Sequence, residues 1–298
     1  MVKRLRIIVM ALFLALTLAA TSFAGAHATG HTKADEKGPG ILLVTFGTSI
    51  PEAQVSFTNI EKKVKTAFPG VPVRWAYTSY IIRHKLAKQG RNIDSVEIAL
   101  AKMMDEGYTQ VAVQSLHMIP GAEFHDIQVN ARLFGQMSGG FDNIAIGYPM
   151  LSTAADLDRA VESFIRVIPA ERKKDEAVVL MGHGTHHPSD AFYSAMMYKF
   201  QKADPNIYVG TVEGHPTLDD VKEMLIKKGV KKAYLIPFMS VAGDHARNDM
   251  AGAEEDSWQS ILTKAGIECV PVLKGLAEYD ILADIWVDHL KTAMKHLK

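Results

Sequence analysis

Short apolar runs alternate with amphipathic stretches along the chain from Gly40 onward. In the first half, runs typical of buried strands lie at residues 41–46, 71–77, 111–116 and 144–146. Residues 55–68 and 93–105 instead carry apolar side chains at helical spacing. Continuous apolar strands between amphipathic helices predict a parallel sheet that is covered by helices on both faces.

The same order of elements recurs in the second half. Four more strands are predicted at residues 177–181, 207–212, 232–237 and 268–272, with helices at 189–203, 218–228 and 248–265. The loops after the two leading strands have similar sequences, VTFGTS at 44–49 and LMGHGT at 180–185. We therefore predict an α/β chain of two similar domains, 40–155 and 156–276. A final helix in 277–298 is expected to pack across both domains.

The first 28 residues have the three-part layout of a secretory signal peptide. Basic residues at positions 3, 4 and 6 precede an apolar run at 7–20, and small residues suited to cleavage follow at 24–28. The run is shorter than the roughly 20 residues that a membrane-spanning helix needs, although a retained anchor is the alternative. We expect an exported, periplasmic chain without membrane insertion after cleavage, in which residues 29–39 form a flexible tether.

Composition narrows the classes of function. With 298 residues, 48% hydrophobic and 22% charged, and with 33 basic side chains against 33 acidic ones, the chain is neither disordered nor a nucleic-acid binder that relies on net charge. Its one cysteine, Cys269, excludes an intramolecular disulfide and any cysteine-rich metal site. Phosphate-loop, dinucleotide and GxSxG motifs are absent from the sequence, so no nucleotide cofactor is expected. Metal chemistry would have to use histidine and carboxylate ligands.

Three such residues follow successive strands of the second half. His183, Glu213 and His245 come after its first, second and third predicted strands, where the carboxyl ends of parallel strands form a ligand-binding edge. Two imidazoles and one carboxylate suit cobalt, iron, nickel or zinc and leave coordination positions open, which predicts exchange or catalysis. Gly182 and Gly184 flank His183 and predict unhindered approach of a large flat ligand.

Several segments resemble one known family. These are ILLVTFGTS, AYTSYIIRHKL, VQSLHMIPGAEFHDI, MGHGTHH, VGTVEGHP and LIPFMSVAGDHARNDM, and the match covers nearly all of the chain after Gly40. They are similar to the anaerobic sirohydrochlorin cobaltochelatases, class II chelatases of the ferrochelatase-like superfamily. The resemblance implies a bilobed α/β fold with an active-site cleft between the lobes. It also implies that His183, Glu213 and His245 bind cobalt and catalyse its insertion into sirohydrochlorin, with release of two protons.

Further residues are candidates for binding the tetrapyrrole. Backbone N–H groups at helix starts and basic or polar side chains near strand ends suit the many carboxylates of such a substrate. The candidates are Phe46, Thr48, Ser49, Arg83, Ser115 and Thr185. His125 is a candidate axial ligand for haem, since a protein shaped for tetrapyrroles could hold haem elsewhere.

Two other functions fit the same three ligands. A periplasmic carrier of metal or haem would bind without turnover, and a zinc hydrolase would use the site to activate water. The two imidazoles and the carboxylate can bind ferrous iron as well as cobalt. The sequence leaves open which of these three ligands takes up a proton. The expected partners are sirohydrochlorin or a related tetrapyrrole and a divalent metal ion, and self-association into a homo-oligomer stays open.

Overall fold

The computed structural model describes residues 36–297. The predicted signal peptide, 1–28, and the predicted tether up to residue 35 lie outside the described residues. Lys37, near the end of that tether, pairs with Tyr108 in an isolated parallel bridge. Within residues 36–297, no helix is both long enough and apolar enough to cross a membrane.

Within residues 36–297, eight strands form two parallel sheets with the same topology. The first sheet contains β1 (Gly40–Thr45), β2 (Val73–Tyr77), β3 (Gln110–Ser115) and β4 (Asn143–Gly147), and the second contains β5 (Ala177–Gly182), β6 (Ile207–Thr211), β7 (Lys232–Pro237) and β8 (Glu268–Pro271). Their orders are β2-β1-β3-β4 and β6-β5-β7-β8, with every pairing parallel. The predicted α/β class with two similar helix-flanked parallel sheets is confirmed.

Helices connect these strands and cover the sheets. They are α1 (Gln54–Ala67), α2 (Tyr80–Ala87), α3 (Val96–Asp105), α4 (Ala122–Gln136), α5 (Ala154–Ile165), α6 (Ala191–Ala203), α7 (Leu218–Lys228), α8 (Trp258–Lys264) and α9 (Asp280–Lys295). The prediction of one helix over 248–265 is wrong. A π-helical turn at Ala246–Met250 precedes α8, and Ser257 caps α8 by accepting a hydrogen bond from the Ser260 N–H.

The two sheets share a hydrophobic core. One continuous cluster of buried side chains contains both Leu43 of β1 and Leu180 of β5. Within it, the Phe164 ring of α5 meets Phe200 and Phe238 edge to face, at centroid distances of 5.3 and 6.2 Å. The predicted domain boundaries, 40–155, 156–276 and 277–298, stay a prediction.

Helix α9 returns to the first sheet and packs against β3 and β4. Trp286 is almost fully buried, and its Nε1 donates a hydrogen bond to the backbone oxygen of His117, 3.1 Å away. At the end of the helix, Asn143 Nδ2 donates to the His296 carbonyl. This helix therefore fixes the segment that leaves β3 toward the site described below.

Candidate active site

Three side chains that could hold a metal ion converge at the carboxyl edge of the second sheet. One ligand atom from each of His183, Glu213 and His245 lies within 4.8 Å of the other two. The rings of His183 and His245 are nearly perpendicular, with centroids 4.8 Å apart. Glu213 Oε2 lies 3.8 Å from His183 Nδ1. The structure thus brings together all three residues singled out in the sequence, and their binding of cobalt stays a prediction.

The strand order explains this convergence. Strand β5 lies between β6 and β7, so the loops that follow these three strands are neighbours. The backbone N–H of Glu213 donates to the carbonyl of His183 over 2.8 Å, and that of Val212 donates to the same carbonyl over 3.1 Å. The loop that carries the carboxylate ligand is therefore fixed against the loop that carries the first imidazole.

Close packing requires the two glycines beside His183. A Cβ on Gly182 would lie 2.4 Å from the Tyr193 ring, and one on Gly184 would lie 2.4 Å from the backbone nitrogen of Gly214. Gly184 also has a φ of +81°, a left-handed conformation that favours glycine. Packing therefore explains both glycines, and unhindered approach of a flat ligand to His183 stays a prediction.

Asp190 joins the two ligand-bearing loops from outside the metal-ligand cluster. Its Oδ1 accepts a hydrogen bond from the Thr185 N–H at 3.0 Å, and its Oδ2 accepts one from the His215 N–H at 2.8 Å. A Cβ on Gly214 would lie 2.1 Å from Asp190 Oδ1, so a glycine is needed at that close approach. One carboxylate thus holds the loops after β5 and β6 in a common position.

The two imidazoles have different partners at Nδ1. His183 Nδ1 lies 3.0 Å from the carbonyl oxygen of Gly184, whereas His245 Nδ1 contacts the Asp249 carboxylate. When Nδ1 carries the proton and donates it to such an acceptor, Nε2 keeps a free lone pair. Either ring can then use Nε2 toward a metal or a proton.

The loop after β1 faces this cluster from the first half. The Phe46 ring lies 5.9 Å from the His183 ring, centroid to centroid, and remains 41% exposed. Thr48 and Ser49 are buried, and the Thr48 hydroxyl oxygen lies 3.4 Å from the position that a Cβ on Gly243 would take. The first half therefore supplies an opposing wall on which Phe46 offers exposed apolar surface.

A second group of polar side chains lies on the first-half wall. Glu123 accepts hydrogen bonds from Thr78 Oγ1 at 2.9 Å and pairs with His117 Nε2 at 2.8 Å, and the Ser115 hydroxyl meets His117 Nδ1 at 2.9 Å. Burial raises the pKa of Glu123, but the close pairing with His117 and the hydrogen bond from Thr78 outweigh burial and lower that pKa overall. Glu123 is therefore an ionised carboxylate at neutral pH.

The remaining candidates for substrate binding differ in how accessible they are. Arg83 has a buried Nε that finds no hydrogen-bond partner among residues 36–297, and its guanidinium lies 6.0 Å from the centre of the Tyr80 ring. Thr185 accepts a hydrogen bond from the His187 N–H. Ser115 is fully buried, so it can reach a substrate only through the imidazole of His117. The roles of all six candidates stay predictions.

His125, the candidate haem ligand, is exposed on α4. Its ring meets that of His187 edge to face, with centroids 4.9 Å apart. The ring of His187 is in turn held at Nδ1 by the N–H and hydroxyl of Ser189. A first-half and a second-half imidazole thus meet beside the cleft, and haem binding there stays a prediction.

Sequence reasoning did not single out Glu123, Asp190 or Asp249 as site residues. Glu123 carried a usable signal, since it follows the third strand of the first half as His245 follows the third strand of the second half. Asp249 lies four residues after His245, a spacing that brings side chains together on one helical turn. Asp190 had no such signal, because its partners are backbone groups fixed only by the folded loops.

A family model described as cobalt chelatase (CbiK) matches residues 39–295. The chain is 44% identical over 258 residues to the sirohydrochlorin cobaltochelatase CbiKC of Nitratidesulfovibrio vulgaris, covering 87% of this chain and 91% of that protein. It is 34% identical over 256 residues to the sirohydrochlorin cobaltochelatase of Salmonella typhimurium, covering 85% and 96% of the two chains.

Solved structures share the fold at much lower identity. SirB from Bacillus subtilis with Fe3+ superposes with a TM-score of 0.59 at 15% identity, covering 86% of this chain and 96% of SirB. The sirohydrochlorin chelatase SirB of Bacillus subtilis subspecies spizizenii in complex with cobalt gives a TM-score of 0.57 at 14% identity, covering 87% and 97%. The two-sheet architecture is therefore one that known chelatases have.

Proposed function

This chain belongs to the cobalt chelatase (CbiK) family, and from that premise we propose that it inserts Co2+ into sirohydrochlorin. The observation that carries the proposal is the open cluster of His183, Glu213 and His245 facing Phe46 across the interior of the molecule. Two imidazoles and one carboxylate hold a borderline divalent ion but leave several coordination positions free. An ion held in this way can be passed on to four pyrrole nitrogens.

The reaction exchanges one divalent cation for two protons. Sirohydrochlorin gives up two pyrrole N–H protons as Co2+ forms bonds to its nitrogens, so the charge of the macrocycle is unchanged. Each imidazole that releases the metal regains a lone pair and can accept one of these protons. Protons compete with Co2+ for His183, Glu213 and His245, so binding of the metal weakens in acid.

Glu123 and His117 supply a second acceptor on the first-half wall. Glu123 is ionised at neutral pH because its hydrogen bonds lower its pKa, so it can accept a hydrogen bond from a pyrrole N–H. His117 Nε2 lies 2.8 Å from the Glu123 carboxylate and holds it in position. Acceptors on both walls of the cleft suit a flat substrate that loses protons while metal approaches.

An absorption time course tests this function. Purified protein is mixed with sirohydrochlorin and Co2+, and the same reaction with Fe2+ ranks the two metals. His183→Ala and His245→Ala should each abolish insertion while far-UV circular dichroism stays unchanged. His186→Ala is the matched control, because it removes an exposed imidazole of the same loop that is outside the cluster. Full turnover by either cluster variant would contradict the site assignment.

Absence of turnover would favour the alternative function, a carrier that binds metal or haem without catalysis. In that case Co2+ or haem would bind at a fixed stoichiometry and no metallated product would accumulate beyond one equivalent. Binding of haem is measured separately by its visible spectrum, and His125→Ala should remove it if that imidazole is the axial ligand. The two outcomes separate an enzyme from a binding protein with the same ligands.

Export to the periplasm is part of the proposal and rests on the N-terminal sequence. The full chain should appear in the osmotic-shock fraction with an N-terminus near residue 29, and a chain lacking residues 1–28 should stay with the cytoplasm. Recovery of the full chain in the membrane fraction with residue 1 intact would instead indicate a retained anchor.

A further inference from the structure

The His245 imidazole is supported by a carboxylate from its own turn. His245 immediately precedes the π-helical turn Ala246–Met250, and its Nδ1 contacts Oδ2 of Asp249 within that turn. A Cβ on Gly252 would lie 2.3 Å from the Asn248 carbonyl, so glycine allows the chain to close tightly after the turn. Single π-helical turns are rare and occur frequently at functional sites.

The other imidazole of the cluster lacks this support. His183 Nδ1 faces the neutral carbonyl of Gly184, and its nearest carboxylate, Glu213, lies 3.8 Å from the same nitrogen. A carboxylate partner fixes the tautomer and orientation of an imidazole and increases its basicity as a metal ligand, more strongly than a carbonyl does. The two histidine ligands are therefore unequal in this structure.

We propose that Asp249 is a positioning residue that keeps the Nδ1 proton of His245 in place and directs Nε2 toward the metal. His245 is then the imidazole that anchors the ion, and His183 is the one that releases it to the macrocycle. This inference rests on the proposed function, because it assumes that the cluster binds Co2+ before insertion. Asp249 is not among the three residues whose ligand atoms converge.

Asp249 acts on His245 through direct contact and not through its charge at a distance. The Asp249 side chain is 44% exposed, so water screens its charge beyond the contact with His245. Asp244 provides the matched control, since it is an exposed aspartate directly before His245 whose carboxylate bonds to Asn248 Nδ2 at 3.0 Å and not to the imidazole. Replacing either aspartate by asparagine removes the same charge from the same loop.

The test is titration of the purified protein with Co2+ alone, followed by its visible d–d absorption. Asp249→Asn and Asp249→Ala should weaken Co2+ binding by about 10–100-fold, the usual effect of removing the outer partner of a metal-bound histidine. Their spectra should move toward that of His245→Ala, whereas Asp244→Asn should keep the affinity within about threefold and the wild-type spectrum. Asp249→Glu should restore part of the affinity if orientation of the ring is what matters.

The outcomes separate this inference from the proposed function. Wild-type affinity and spectrum in Asp249→Asn would overturn the role of Asp249 and leave the chelatase intact. An equal loss in Asp249→Asn and Asp244→Asn would also overturn it, because charge alone would then explain the effect. Failure of the wild-type protein to bind Co2+ would overturn the proposed function together with this inference. Thermal unfolding of each variant verifies that all of them are folded.

Discussion

Replacing Gly184 by alanine tests whether close packing of two loops sets the metal cluster. Gly184 has a φ of +81°, and an added Cβ would lie 2.4 Å from Gly214 N and 2.9 Å from the carbonyl carbon of Glu213. These are backbone atoms, so no side-chain rotation relieves the contact. Gly229 is a matched control, because its φ is +74° but a Cβ there meets no atom within 4 Å.

The two substitutions should differ by the energy of the contact alone. A left-handed conformation costs an alanine about 1–2 kcal/mol, part of which is offset by about 0.4–1 kcal/mol from the stiffer unfolded chain. Gly229→Ala should therefore lower the free energy of unfolding by about 1 kcal/mol. Gly184→Ala adds overpacking of about 1–3 kcal/mol, for a total of about 2–4 kcal/mol. Urea unfolding followed by circular dichroism measures both values.

Gly184→Ala and Gly229→Ala should also differ in the rate of cobalt insertion. To relieve the contact, the loop of Glu213 must move away from His183 and stretch the 2.8 Å hydrogen bond between their backbones. A displacement near 1 Å can reduce a reaction rate on the order of 100-fold, so Gly184→Ala should slow cobalt insertion while Gly229→Ala should not. Equal destabilisation by the two alanines, or normal insertion by Gly184→Ala, would refute the reasoning.

Three further predictions concern residues outside the metal cluster. Burial raises the pKa of Asp204, but hydrogen bonds from Arg172 and a backbone N–H, together with the Arg172 charge, outweigh burial and lower that pKa. Asp204→Asn should therefore lower the free energy of unfolding by about 1–3 kcal/mol at pH 7, a deficit that urea titrations should find shrinking below about pH 4 as the wild-type carboxylate becomes protonated. Burial raises the pKa of the Cys269 thiol to about 11, so iodoacetamide at pH 8 should alkylate it slowly in the folded protein and quickly in urea, as followed by mass spectrometry. His289→Ala should destabilise the protein by about 1–3 kcal/mol in urea, because His289 bridges the Tyr148 carbonyl and the Asp156 carboxylate at 2.9 and 3.0 Å. An unchanged urea midpoint in either variant, or rapid labelling of the folded protein, would count against these accounts.

The strands could be predicted most directly where they are central, because β1 and β5 are continuous runs that are buried along their whole length. The edge strand β8 is partly exposed and was located by its place in the repeated order of elements. Helices α2 and α4 could not be predicted as easily, because their apolar residues are not confined to one face. Ile81 of α2 is 75% exposed, and Val129 and Leu133 of α4 are about half exposed, which blurs the helical period. The start of helix α5 carried a sequence signal, since Thr153 and Asp156 form a capping box there.

The three proposed metal ligands could be found from the sequence because parallel strand ends meet at one edge of a sheet. The groups that hold them are set by contacts at atomic distance, which residue order does not reveal. Asp190, for example, binds the His215 N–H from 25 positions away. The glycines beside His183 are a second example, because residue order does not reveal that Tyr193 packs against Gly182 and the Gly214 backbone against Gly184.

Helix α9 follows both sheets in the chain, yet it covers the sheet that precedes the other. Its contacts join residues far apart in the chain, such as Trp286 with His117 and His296 with Asn143, which are 169 and 153 positions apart. Contacts of such separation form slowly. A growing chain can therefore complete its second sheet while one apolar face of the first is still bare, and a chain that stops before α9 would expose that face and aggregate.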